Sequence, residues 1–237
     1  MGAYLHGILL ILFLSAISVG AAPSGGSEQV TPLLDQLPQG SVLILGEFHN
    51  LPSQTEHARW IVEQLQKRGH RVQVGMEFVE FPLQKSADAW KSGWMTDDEF
   101  SKVARWPLES FQIYKPIYIQ ADAIIALNSP RKLTGKIAKE GLGALTPDDQ
   151  LLLPPQFTLG RDVYRERFAE SMPHLPNPQD LDRYFAAQSL WDDTMAWKTV
   201  ETMMSHKRDT IVVVVGDFHT AYGGGLPSRL RARRGSG

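Results

Sequence analysis

"VVVVGDFHTAY" occupies residues 212–222, and "VLILGEFHN" occupies residues 42–50. Both read as an apolar run followed by glycine, a carboxylate, phenylalanine and histidine. Unbroken Val, Ile and Leu suit a strand covered on both faces, as in a parallel sheet between helices. Four such runs stand at Val42–Leu45, Val72–Val74, Ala123–Leu127 and Ile211–Val215. Ligand-binding side chains of open parallel sheets collect beyond the carboxyl ends of the strands. A third run ends in "VGMEF", residues 74–78. Three strand ends therefore bring Glu47, His49, Glu77, Asp217 and His219 toward one rim. Glycine at each end lets the backbone turn or another group approach closely.

Helical signals separate the strands. "TEHARWIVEQLQKRG", residues 55–69, aligns Ala58, Ile61, Val62 and Leu65 on one stripe and stops at Gly69. "TDDEFSKVA", residues 96–104, opens with the capping-box pair Thr96 and Glu99. "SPRKLTGKIAKEG", residues 129–141, begins with Ser129 as N-cap and Pro130 in the first turn, and "LTPDDQLLL", residues 145–153, begins in the same way. The stretch 180–207 reads as one long amphipathic helix with Tyr184, Gln188, Trp191, Met195 and Lys198 at spacings of three and four. The alternation predicts an α/β fold: a mostly parallel sheet of four or more strands, flanked by helices in a single layered domain.

The chain has 237 residues, of which 43% are hydrophobic and 21% charged, as in ordinary globular proteins. A net charge of −2 gives no argument for nucleic acid. The basic stretch "RLRARR", residues 229–234, reads as a solvated tail, with an anionic lipid or an acidic partner face as the second reading. The chain contains no cysteine, which excludes thiolate catalysis, Cys-ligated metal, disulfides and a lipid-modified N-terminal Cys. "ILLILFLSAISVGAA", residues 8–22, has the length and small-residue flank of a secretory signal. The expected organisation is a signal peptide over 1–22, a flexible leader over 23–30, a domain over 31–232 and a tail over 233–237.

Two carboxylates and two histidines at one rim suit a divalent metal or general acid–base chemistry. The compact H-E-x-x-H signature is absent, so spacing alone does not indicate a metal. Gly223, Gly224 and Gly225 are a candidate cradle for phosphate or carboxylate, without the Gly-Lys-Ser/Thr ending of a nucleotide loop. Aromatic residues crowd the middle of the chain, where "FQIYKPIY" sets Tyr114 beside Lys115; further on, "DVYRER" sets Tyr164 beside Arg165. A nearby cation favours the phenolate, which is a competent haem-iron ligand.

"LILGEFHN", "VGMEF", "YKPI", "ALNSPRKLTGKIAKEGLGALTPDD", "AAQSLWDDTMA" and "VVVVGDFHTAYGGGLPSRL" follow one another in this chain. In that order they resemble the ChaN-like cofacial haem-binding family, part of a wider group with the Tiki and TraB proteins and the erythromycin esterases. The resemblance spans about Leu34 to Leu230. It implies an exported, periplasmic or membrane-associated protein of iron or haem uptake, with a haem-uptake receptor or transporter as partner. It further implies a homodimer holding two haems face to face, a tyrosine on the iron, and His and Lys on the propionates. Carried over by motif, Tyr114 is the first choice for the iron ligand and Tyr164 the second. His219, Lys115 and Arg131 are the propionate candidates. This chain departs from the family at Phe48 and Phe218, where members often have small or polar residues, and at Gln54 and Thr55, where many have a His pair. The wider group supplies the alternative, a metal-dependent hydrolase using Glu47, His49, Glu77 and His219 with a divalent metal.

Overall fold

A computed structural model describes residues 9–13, 24–175, 177–220 and 224–235, with side chains from residue 30 onward. Strand β1 (Leu9–Phe13) and helix α1 (Ser24–Asp35) precede β2 (Val42–Glu47), α2 (Pro52–Lys67) and β3 (Val72–Glu80). Helices α3 (Gln84–Lys91), α4 (Asp97–Ala104) and α5 (Leu108–Gln120) lead to β4 (Ala123–Asn128). Then come α6 (Arg131–Glu140), α7 (Pro147–Gln150), α8 (Asp162–Ser171), α9 (Pro178–Ser205), β5 (Thr210–Gly216) and α10 (Gly225–Gly235).

Among the described residues the strands form one sheet of order β1-β2-β5-β3-β4, with every neighbouring pair parallel. The sequence expectation of an α/β domain with a mostly parallel sheet holds. Alternate residues of each apolar run point to opposite cores, which explains why the runs lack a polar face. Leu43, Leu45, Val74, Met76, Ile124, Ala126, Val212 and Val214 enter the core under α1 to α5. Val42, Ile44, Ile125, Leu127, Ile211, Val213 and Val215 enter the core shared with Met195, Ala196, Met203, Leu226 and Leu230 of α9 and α10.

Side-chain caps close the starts of α4, α7 and α9. In α4, Glu99 N–H donates to Thr96 Oγ1 at 3.3 Å and Thr96 N–H to Glu99 Oε2 at 2.8 Å, closing the expected capping box. The start of α6 differs: Pro130 is the N-cap and the Ser129 hydroxyl is buried without a partner. The stretch read as a flexible leader is helical from Ser24, and Leu34 and Leu37 anchor its far end in the core. The expected signal segment lies mostly outside the described residues, but Leu9–Phe13 within it pairs with β2. On α9 the buried side runs through Phe185, Gln188, Asp192, Met195, Thr199 and Met203, whereas Tyr184, at one end of the predicted stripe, is exposed.

The basic C-terminal stretch is a strap. Arg233 grips Asp193 of α9 through two bonds, Nε to Oδ1 at 2.7 Å and Nη2 to Oδ2 at 2.6 Å, and also donates to the Pro155 carbonyl at 3.2 Å. Bidentate geometry at a largely buried site makes this pair stronger than a surface ion pair. Arg233→Ala leaves Asp193 buried and unpaired, and is expected to lower stability by about 3 kcal/mol, read from the urea midpoint.

Candidate functional site

The repeated motifs meet because β2 and β5 are neighbours in register, with Glu47 opposite Gly216, and β3 lies on the other side of β5. Their carboxyl ends deliver one cluster. His49 Nδ1 lies 3.0 Å from Glu47 Oε1, and His49 Nε2 lies 3.7 Å from Glu77 Oε1. The same Glu77 oxygen is 3.4 Å from His219 Nε2. His219 Nδ1 in turn meets Asp192 Oδ1 at 2.7 Å. Glu77 Oε2 accepts the Gly216 N–H at 2.8 Å, which ties the acid to the strand end. The glycines act by close approach. A Cβ on Gly216 would sit 2.8 Å from His49 Nε2, and one on Gly75 would sit 2.4 Å from Leu127 Cδ1.

Burial and charge set the protonation states. Burial disfavours the His219 cation, but Asp192 and Glu77 outweigh it and push its pKa up to about 10. His49 is also raised, chiefly by its bond to Glu47, although its side chain is 40% exposed. Burial works to raise Glu77, yet the bond to His219 and the charges of both histidines hold its pKa below the usual range. The outcome is an ion network at the rim with His49 as its solvent-facing member.

Both candidate tyrosines adjoin this network. The buried Tyr114 hydroxyl donates to Glu47 Oε1 and accepts the Asn50 N–H at 3.0 Å. The buried Tyr164 hydroxyl donates to Asp192 Oδ2 at 3.1 Å and accepts from Gln188 Nε2 at 3.3 Å. Burial, reinforced by the adjacent carboxylate, pushes each phenol well above its ordinary pKa. The expected phenolate-favouring cations are elsewhere: Lys115 pairs with Asp97 at 2.5 Å and Arg165 with Asp182 at 2.5 Å. Successive helix residues point about 100° apart, so a sequence neighbour is not a spatial neighbour.

Arg131 is likewise committed, donating to the carbonyls of Arg105 at 2.7 Å and Phe78 at 3.3 Å. Asp217 opens the short turn Asp217–His219 and is half-buried. Gln54 and Thr55 secure the loop after β2, through Phe48 N–H to Gln54 Oε1 at 2.7 Å and Thr55 Oγ1 to the Leu51 carbonyl at 3.2 Å. Phe48 projects beside His49 with 56% of its surface exposed.

Sequence reasoning missed Asp192, whose only local signal was a second polar residue, Gln188, four positions earlier on a buried helix face. It also missed Arg229, read as part of a solvated tail. That residue is buried, with Nη1 donating to Thr158 Oγ1 at 2.8 Å. Among the described residues, Glu47 Oε2, Trp191 Nε1 and Arg229 Nη2 are buried without hydrogen-bond partners. Among the described residues no three His, Asp or Glu side chains are arranged to hold a metal ion, so the divalent-metal expectation finds no support. No described helix is long and apolar enough to cross a membrane.

No curated protein matches the chain. A solved structure described as cofacial heme binding to ChaN of Campylobacter jejuni superposes with a TM-score of 0.62 at 17% identity, covering 86% of this chain and 80% of that one. The type III effector HopBA1 gives a TM-score of 0.44 at 12% identity, covering 89% and 82%. The family model described as haem-binding uptake, Tiki superfamily, ChaN matches residues 33–230, which take in all three strand-end motifs and the α9 residues behind them, and this chain belongs to that family.

Proposed function

We propose that this protein is an exported haem carrier of iron or haem uptake, holding haem over the carboxyl edge of the sheet at an interface between two copies of the chain. The observation that carries the reading is the convergence of Glu47, His49, Glu77 and His219 at one rim of a chain matched to this family over residues 33–230. The residues present suit haem in two respects. Phe48 and Leu51 are exposed beside His49 and offer apolar surface to a porphyrin face. The unpartnered Arg229 nitrogen offers a donor for an anionic group.

Haem, when bound, would supply an iron centre for a protein oxygen or nitrogen donor to hold. The family implies a tyrosine, with Tyr114 first and Tyr164 second. Either phenol has to leave a carboxylate to serve, Glu47 or Asp192 respectively. His219 stands beside both Asp192 and Glu77, at the Tyr164 end of the rim. Lys115 and Arg131, the propionate candidates carried over by motif, are already engaged by Asp97 and by backbone carbonyls respectively. Export through the segment 1–22 would remove β1 and leave β2 at the sheet edge.

Titration of the purified protein with haemin is expected to give a protein-bound Soret band and, by sedimentation, a shift from one chain to two. A free-haemin spectrum with unchanged mass rejects the reading. Metal-free hydrolysis is the second reading, favoured by the 3.0 Å contact that lets Glu47 orient half-exposed His49 as a general base. An ester panel assayed beside the titration separates the two.

A further inference from the structure

Among the described residues, Arg229 is a buried cation at this site that is left incompletely paired. It is 8% exposed, and its Nη1 reaches only a neutral hydroxyl, Thr158 Oγ1, at 2.8 Å. Its Nη2 has neither a partner nor contact with solvent. The nearby carboxylates are already engaged. Asp193 is bound by both branches of Arg233, and Asp192 by His219 and Tyr164. A buried guanidinium N–H without an acceptor keeps the cost of its lost hydration and gains no bond in return.

The position is specific. Arg229 lies one turn into α10, and helix side chains lean toward the N-terminus. That N-terminus, at Gly225, is pressed against the site: a Cβ there would sit 2.5 Å from the His219 carbonyl oxygen, 2.9 Å from Asp192 Oδ1 and 2.9 Å from the Tyr164 hydroxyl. A helix start favours an anion through its first N–H groups; here Pro227 has none and the Ser228 N–H is taken by the Gly224 carbonyl at 3.1 Å, which leaves Gly225 and Leu226 as the candidate donors. The free Nη2 supplies the second, independent donor, and a guanidinium matches a carboxylate in geometry as well as charge.

We infer that Arg229, together with the start of α10, anchors a carboxylate of the bound ligand, and on the haem-carrier reading, on which this rests, one haem propionate. The anchor is proposed in place of Lys115 and Arg131, which are engaged by Asp97 and by backbone carbonyls.

Haemin and its dimethyl ester, which lacks ionised carboxylates, are titrated into the wild-type chain and into Arg229→Met and Arg229→Lys. The expected result is tenfold or greater loss of haemin affinity in Arg229→Met, no change for the diester, and partial recovery in Arg229→Lys. Equal loss for both ligands, or none for haemin, overturns the inference while leaving the carrier reading intact. Thermal melting in sodium propionate against sodium chloride at equal ionic strength supplies a haem-independent readout. Propionate is expected to raise the wild-type melting temperature and not that of Arg229→Met. If the wild type binds no haemin but keeps the propionate shift, the carrier reading fails and the carboxylate site stands. If both are missing, both fail. Should Arg229→Met not fold, Arg229→Lys and Thr158→Val, which frees Nη1, carry the comparison.

Discussion

Asp192→Ala is expected to lower the unfolding free energy by about 3–5 kcal/mol at neutral pH, the typical penalty for removing one partner of a buried ion pair. Asp192 Oδ1 is 2.7 Å from His219 Nδ1, and its Oδ2 accepts the Tyr164 hydroxyl at 3.1 Å. Its loss leaves the buried imidazolium with the longer Glu77 carboxylate contact alone and the buried phenol without its carboxylate acceptor. Urea denaturation measures the fall. The pH dependence identifies the cause. His219 has its folded pKa raised to about 10 from an ordinary 6.5. A raised pKa stabilises the fold in full below the unfolded value, and this contribution fades as the pH rises through the folded one. Wild-type stability is therefore expected to decline between about pH 6.5 and 10, and Asp192→Asn to flatten that slope. An Asn variant that keeps the wild-type slope, or a His219 that titrates near its ordinary value by NMR in the wild type, removes Asp192 from this role.

Glu77→Gln is expected to produce the other large effect, about 3 kcal/mol of lost stability at pH 7. One Glu77 oxygen serves both histidines, at 3.4 and 3.7 Å, so the substitution weakens two contacts at once. The other accepts the Gly216 N–H at 2.8 Å, an interaction that an amide oxygen preserves. The charge is thus isolated from the backbone bond. Since the Glu77 pKa is held below 4.5, its contribution is present above that value and lost as the pH falls through the folded pKa. Wild-type stability is expected to drop in that acid range more steeply than that of Glu77→Gln. Because Asp192 and Glu77 share His219, the double substitution is expected to cost less than the two single effects added. Strict additivity would show that the two acids act on separate groups.

Much of the scaffold was readable in the residues. Each apolar run lies inside an observed strand, and β5 extends Ile211–Val215 by one residue at each end. The capping box read at Thr96 forms, and Thr146 caps α7 with Pro147 in its first turn as expected. Helix α5 was not recognised as a helix, because it is apolar on more than one side and carries Pro116 in its interior. Within it, the adjacency of Tyr114 and Lys115 suggested a phenolate. The helix instead turns Tyr114 in toward Glu47 and Lys115 out toward Asp97 on α4.

The sequence by itself determined that three strand ends would carry acids and histidines, because that depends only on hydrophobic period and on which residues follow each run. It determined the starts of α4 and α7 for a similar reason, since the caps at Thr96 and Thr146 are satisfied within four residues. Only the tertiary structure decided that β5 inserts between β2 and β3, which makes Glu77 common to His49 and His219. Only it decided that α9 presents Asp192 to the rim and that α10 buries Arg229. Strand order and helix rotation arise from the simultaneous packing of two cores on one sheet, and no local stretch of chain contains that information.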